Sequence, residues 1–200
     1  MKVVFAGSGS GGHFYPLIAV AEAIQEVVAE RRLVAPQLYF MAPNAFDEDS
    51  LFQNSIVFVK VPAGKVRRYF SLQNFFDIFV TIYGFFVAFG LLLKIYPDVV
   101  FSKGGYASVP VVAAAWVLRI PIIIHESDAR PGRANLFAAP LAYRIAVAFE
   151  SATNMFPPKT RGKIARIGIP VRREVAHVER EGARELLGLD TSVPTVVIFG

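Results

Sequence analysis

Three short stretches combine glycine, hydroxyl and titratable residues in ways that suit phosphate binding and proton transfer. The first is Gly7-Ser8-Gly9-Ser10-Gly11-Gly12, followed directly by His13. A glycine loop between a strand and a helix bares backbone N–H groups at a helix N-terminus, where the dipole favours an anion. A neutral imidazole at its mouth can accept a hydroxyl proton at neutral pH. The second stretch is Lys103-Gly104-Gly105-Tyr106-Ala107-Ser108, and the third is His125-Glu126-Ser127-Asp128. Each has a plainer alternative. The glycines serve a tight turn that needs positive φ. His13 is a helix-start histidine without a role. Glu126 is a cap or turn carboxylate for the segment after it, work that Ser127 or Asp128 could do equally well. A metal centre is a poor reading, because His13, His125 and Glu126 are too few and His177 lies in a separate polar segment. With no cysteine in the chain, thiolate sites and disulfides are excluded.

The elements that must position these stretches follow from hydrophobic periodicity. Val3 to Ala6 is a short apolar run, and Leu17 to Ala29 repeats apolar residues at helical spacing. Strands are expected at 37–42, 55–61, 99–102, 121–124, 144–148, 165–172 and 195–199. Short or apolar helices fall within 44–53, 109–118, 134–142 and 179–187. Strands alternating with helices predict a Rossmann-like α/β fold, a parallel sheet with helices on both faces. In such sheets ligands bind beyond the carboxyl ends of the strands. The three glycine and histidine turns all fall there. Gly7-x-Gly9-x-x-Gly12 matches a dinucleotide fingerprint, but that fingerprint also wants an acid at the end of the second strand. Here the strand ends Phe40-Met41-Ala42-Pro43, with no carboxylate before Asp47. A nicotinamide or flavin site is therefore disfavoured.

Composition narrows the partners. The 200 residues are 54% hydrophobic and only 18% charged, with a net charge of +5. Part of the surface should be apolar, and a basic chain suits an anionic membrane or a phosphorylated ligand. No Lys/Arg-rich tract points to nucleic acid. The N-terminus runs straight into a strand, without a signal-peptide pattern. From Ile78 to Leu93 there is no charge. As a helix this stretch would rise about 24 Å, short of roughly 30 Å of hydrocarbon. The leading expectation is a buried helix of an α/β layer. The second is an interfacial helix whose face, with Phe75, Phe76 and Phe79, dips into lipid beside a basic loop of Lys65, Arg67 and Arg68. A transmembrane span comes third. The basic loop could equally be an ordinary solvated one.

Gly9-Ser10-Gly11-Gly12-His13-x-x-Pro16 resembles the Gly-Gly-Thr-Gly-Gly-His-x-x-Pro opening of the MurG family, bacterial undecaprenyl-diphospho-muramoyl-pentapeptide β-N-acetylglucosaminyltransferases. Gly104-Gly105-Tyr106-x-Ser108-x-Pro110 is similar to its second glycine turn. His125-Glu126, with Pro131-Gly132-x-x-Asn135, resembles its His-Glu-Gln-Asn loop and following helix. Gly168-x-Pro170-Val171-Arg172 resembles its Gly-Asn-Pro-Val-Arg turn. Four motifs in order over residues 1–172 make the resemblance specific.

The resemblance implies the N-terminal domain of a GT-B glycosyltransferase. Residues 1–160 would be an acceptor and membrane-side domain, and 161–200 a linker and the truncated start of a donor-binding domain. The implied reaction moves N-acetylglucosamine from UDP-N-acetylglucosamine to lipid I, giving lipid II of peptidoglycan synthesis with inversion. It needs no cofactor and no metal. Lipid I is an undecaprenyl-diphosphate-linked acceptor, met at the cytoplasmic face of the bacterial inner membrane. By motif position Ser10, Gly11 and Gly12 would contact donor or acceptor phosphate, and Gly104 and Gly105 would belong to the substrate-binding site. His13, Tyr106 and Glu126 would line the acceptor site, with His13 or Glu126 as base. Asp128 stands where the family has a donor-contacting asparagine, and Arg172 would reach the donor diphosphate. A carboxylate at 128 repels a diphosphate unless Arg130 or Arg133 compensates. The family continues past the last strand here, so this chain is expected to be incomplete for catalysis. The alternatives are a membrane-docking subunit that recruits a separate donor-binding chain and, with less support, a dinucleotide-binding domain.

Overall fold

The computed structural model describes residues 1–7, 10–65, 72–176, 182–190, 193, 194 and 196. Ser8, Gly9, Arg67, Arg68, His177 and most of the strand expected at 195–199 lie outside the described residues.

Seven parallel strands form one sheet: β1 (Lys2–Gly7), β2 (Gln37–Ala42), β3 (Ile56–Lys60), β4 (Val99–Gly104), β5 (Ile122–Glu126), β6 (Arg144–Val147) and β7 (Ile164–Arg166). Their order is β3-β2-β1-β4-β5-β6-β7. The order reverses direction between β1 and β4, so a crevice opens there at the carboxyl edge. β7 extends the sheet to Arg166, past the boundary expected at 160.

The strands are apolar on both faces because helices cover both. On one side α1 (Gly11–Glu30) lays Phe14, Leu17, Ile18 and Ala21 over Phe5, Leu38 and Phe40. Phe14 meets Phe40 edge-on, with ring centroids 5.4 Å apart. Each such ring contributes about 1.5–3 kcal/mol by leaving water. On the other side α4 (Ser108–Val117) buries Val111, Val112, Ala114 and Ala115 against Val4, Val100, Ile122 and Ile124.

The apolar segment forms α3 (Leu72–Ile95), and the expectation of a buried helix is not met. Gly84, Ala88 and Leu92, spaced at one turn, make its buried seam. A side chain at Gly84 would collide with the Pro62 carbonyl, so the helix seats tightly on the loop after β3. Its largest apolar residues point the other way: Phe76 is 66% exposed and Phe86 64%, with Phe75, Phe79 and Tyr83 similarly open. The reason is local. Small residues line the seam, so the helix settles on its narrow side and leaves the aromatic side uncovered.

Candidate functional site

The crevice is built from the ends of three neighbouring strands, β1, β4 and β5. α1 begins earlier than its periodicity suggests, so Gly11, Gly12 and His13 form its first turn rather than the loop. Ser10 is the N-cap, and its side chain makes no capping bond. The N–H groups of His13 and Phe14 both donate to the Ser10 carbonyl at 2.9 Å. The amides of Gly11 and Gly12 have no partner among the described residues, as the first turn of a helix dictates. Gly12 is exposed, and a Cβ there would meet nothing within 4 Å. Among the described residues the Gly11 and Gly12 amides are thus left without a partner, and Gly12 has open space beside it.

His13 is half-buried on this turn, and its Nδ1 is enclosed without a hydrogen-bond partner. Burial, helped by the nearby Lys103 charge, holds the imidazole below its ordinary range. It is therefore neutral near pH 7, as a proton acceptor must be.

At the end of β4 the chain turns through Gly104 and Gly105, at φ +84° and +78°. Positive φ favours glycine, and at Gly104 a Cβ would also strike the Asn135 amide. Tyr106 follows, half-buried, and Ser108 opens α4, its hydroxyl donating to the Gly105 carbonyl at 2.9 Å.

The end of β5 is the most ordered part of the crevice. Glu126 is 4% exposed. Its Oε1 accepts from the Asp128 amide at 2.9 Å, and its Oε2 from the Gly132 amide at 2.9 Å and Asn135 Nδ2 at 3.0 Å. Asn135 lies in α5 (Arg133–Ala138) and also donates to the His125 carbonyl at 3.1 Å. The Glu126 carboxylate thus folds the 126–135 loop, the job its plainer alternative assigned to it. His125 is fully buried and bonds through Nε2 to the Gly168 carbonyl at 2.9 Å. A carbonyl only accepts, so Nε2 carries the proton. Burial, chiefly, lowers this imidazole too.

Arg172 lies at the rim with its guanidinium over the Tyr15 ring, 4.0 Å from the centroid, and pairs with Glu174. The Tyr15 hydroxyl donates to Asp47 Oδ2 at 3.3 Å. Asp47 also caps α2 (Glu48–Gln53), accepting from the Ser50 amide and hydroxyl, and those bonds hold it below the usual carboxylate range. Arg173 reaches along α1 to Glu26 at 2.8 Å, and its amide donates to Glu22 at 3.0 Å.

The crevice therefore gathers Ser10, Gly11, Gly12, His13, Gly104, Gly105, Tyr106 and Glu126, with Asp128 exposed beside them. Lys65, Phe75, Phe76 and Phe79 belong to a different surface, on α3 and the loop before it. Sequence reasoning assigned no role to Lys103 or Asn135. A lysine inside the apolar strand Val99-Val100-Phe101-Ser102-Lys103 was the available signal for the first. Among the described residues no group of three or more His, Asp or Glu could hold a metal ion.

The sequence matches the glycosyltransferase family 28 N-terminal domain over residues 3–147. It is 37% identical to a UDP-N-acetylglucosamine--N-acetylmuramyl-(pentapeptide) pyrophosphoryl-undecaprenol N-acetylglucosamine transferase of Treponema denticola, over 99% of this chain and 51% of the relative. Identity is also 37% to a relative of the same name, numbered 2, from Bacillus anthracis, over 100% of this chain and 54% of that one. The chain spans about half the length of these curated relatives. Among solved structures it resembles MurG of Acinetobacter baumannii, with a TM-score of 0.65 at 24% identity over 88% of this chain and 47% of that one. A UDP-GlcNAc 2-epimerase of Methanocaldococcus jannaschii shares the fold, with a TM-score of 0.61 at 14% identity over 84% of this chain and 47% of the other. Matched over most of its length, from the first strand through β6, this chain belongs to glycosyltransferase family 28.

Proposed function

We propose that this chain is the acceptor-binding half of a transferase that moves N-acetylglucosamine from UDP-N-acetylglucosamine to lipid I. The observation that carries the reading is the crevice at the β1/β4 switch point. There an unsatisfied helix N-terminus carries, on its own first turn, the neutral, half-buried His13. Inverting transfer needs a base for the acceptor hydroxyl and a positive environment for phosphate charge. His13 supplies the base, through the ring nitrogen other than the enclosed Nδ1. Glu126, with its oxygens engaged by three N–H donors, orders the loop that forms the opposite wall. The amides of Gly11 and Gly12 and the Ser10 hydroxyl bind phosphate, and Tyr106 and the Gly104–Gly105 turn line the acceptor. Asp128 and Arg172 face the side where the donor enters.

The uncovered side of α3 seats the domain on a membrane. Phe75, Phe76 and Phe79 enter the headgroup boundary, and Lys65, with Arg67 and Arg68, meets anionic lipid. A lipid-linked acceptor is then reached without leaving the bilayer. Residues after 160 lead into a donor-binding domain, either in the same polypeptide or in a partner chain.

The test is transfer of labelled N-acetylglucosamine to lipid I in membranes, with the donor-binding half present. Labelled lipid II is expected, and its absence with an intact donor half overturns the reading. The 200-residue chain alone is expected to give no turnover. Tight binding of NAD instead would move the chain to the dinucleotide-binding class.

A further inference from the structure

Among the described residues Lys103 is the one buried lysine or arginine. β1 and β4 pair in register up to Ala6 and Ser102, and then Gly7 pairs with Gly104. Lys103 is the extra residue of this bulge. A bulge at a sheet edge re-aims a side chain that would otherwise continue the alternation of the strand. Its Cβ lies beside Gly7, where a side chain on residue 7 would meet it. The residue is 2% exposed, yet its ammonium makes no hydrogen bond and no ion pair among the described residues. The bulge sets Lys103 at the carboxyl end of β4, beside Gly7 and the Gly104 turn, and electrostatic coupling to His13, His125, Glu126 and Asp128 accords with that place. Burial pushes this lysine below its ordinary range.

Most of this side chain is buried and its ammonium has no protein partner among the described residues, so the charge is poorly compensated, and an anion in the crevice relieves that cost. Glu126 is not that anion, because three N–H donors already satisfy it. Asp128 lies exposed at the mouth. We propose that Lys103 is the cation that anchors a substrate diphosphate in this crevice, opposite the amides of Gly11 and Gly12, and that it offsets the repulsion of Asp128. This rests on the acceptor reading above. It gives the compensation for a carboxylate at 128 to Lys103, in place of Arg130 or Arg133. Lysine binds phosphate as a point charge, and no bond is made or broken by it.

The probes are farnesyl diphosphate, with farnesol as the uncharged control, and UDP, titrated into the 200-residue chain. Wild type binds farnesyl diphosphate more tightly than farnesol. Lys103→Met weakens that binding about tenfold or more, the worth of one charge-assisted contact, while Lys103→Arg keeps most of it. Asp128→Asn tightens binding about threefold by removing like charge, and this arm stands even if Lys103→Met does not fold. A loss confined to UDP still supports a diphosphate anchor but assigns it to the donor. Equal binding of both ligands by wild type and Lys103→Met, or Lys103→Gln where the Met variant does not fold, overturns the role of Lys103 and leaves the acceptor reading intact; no gain from Asp128→Asn overturns the repulsion assigned to Asp128. No binding of farnesyl diphosphate by wild type overturns both.

Discussion

Two surfaces of this domain are unfinished in opposite ways. At the carboxyl edge of the sheet the unmet groups are polar: the Gly11 and Gly12 amides, His13 Nδ1, Asn135 Oδ1 and the Lys103 ammonium. On α3 they are apolar: Phe75, Phe76, Phe79, Tyr83 and Phe86. A polar group without a protein partner and an uncovered aromatic cluster both leave free energy to be gained on binding. The difference lies in what each would bind. Amide donors and an ammonium at one edge of the sheet suit an anion with acceptor oxygens. An uncovered aromatic face on α3 calls for an extended apolar surface. The acceptor proposed above, a lipid-linked diphosphate sugar, has chemistry of both kinds.

If the two surfaces do separate jobs, damage to one should spare the other. The largest effect is expected from His13→Ala. Transfer by the complete enzyme should fall about 10²–10⁴-fold, the usual worth of a general base, with vesicle binding unchanged. Loss of vesicle binding in that variant would merge the two surfaces. Next comes the triple change Phe75→Ser, Phe76→Ser and Phe79→Ser. Each ring is worth about 1.5–3 kcal/mol when removed from water, so partition onto anionic vesicles should drop at least a hundredfold. Stability should move by no more than about 0.5 kcal/mol, measured by urea unfolding. A large stability loss would mean that these rings hold the fold together.

Two glycines of α3 sharpen the contrast within one helix. Gly84→Val drives a side chain into Pro62 and should cost about 1–3 kcal/mol. At Gly90 a Cβ would meet nothing within 4 Å, so Gly90→Ala should gain about 0.5–1 kcal/mol. The urea midpoints of the two variants should move in opposite directions.

The smallest expected effect is on pH. Burial lowers both His13 and His125. Their neutral forms are favoured in the folded chain, so the stability they contribute is full above about pH 6.5, the unfolded imidazole value. It is lost as pH falls through the folded values. Melting temperature should therefore drop between pH 7 and 5, and His125→Asn should flatten that drop. A profile unchanged by the substitution would mean that His125 does not set it.

Much of the fold was legible in the sequence because the strands are continuous apolar runs bounded by glycine and proline. The alternation of strand and helix then leaves few topologies. The crevice was legible for a related reason: glycines at strand ends are needed by the backbone, as the positive φ of Gly104 confirms. Three things were not. The start of α1 was hidden because Gly11 and Gly12 disfavour helix and Pro16 sits inside it. Side-chain seating on the sheet decides whether a uniformly apolar helix is buried, and periodicity has little to say when every position is apolar. α3 and α4 are both uncharged apolar helices at their centres, packed on each other, yet one is covered and the other is not. Lys103 was hidden because a bulge, which composition does not reveal, turns it into the crevice.

The central claim is that residues 1–200 hold the acceptor side of the transferase. Equilibrium titration of this chain with lipid I, and separately with UDP-N-acetylglucosamine, tests it most directly. Saturable binding of lipid I is expected, competed by undecaprenyl diphosphate, with no binding of the nucleotide sugar at comparable concentrations. Binding of the nucleotide sugar without binding of lipid I would contradict the claim.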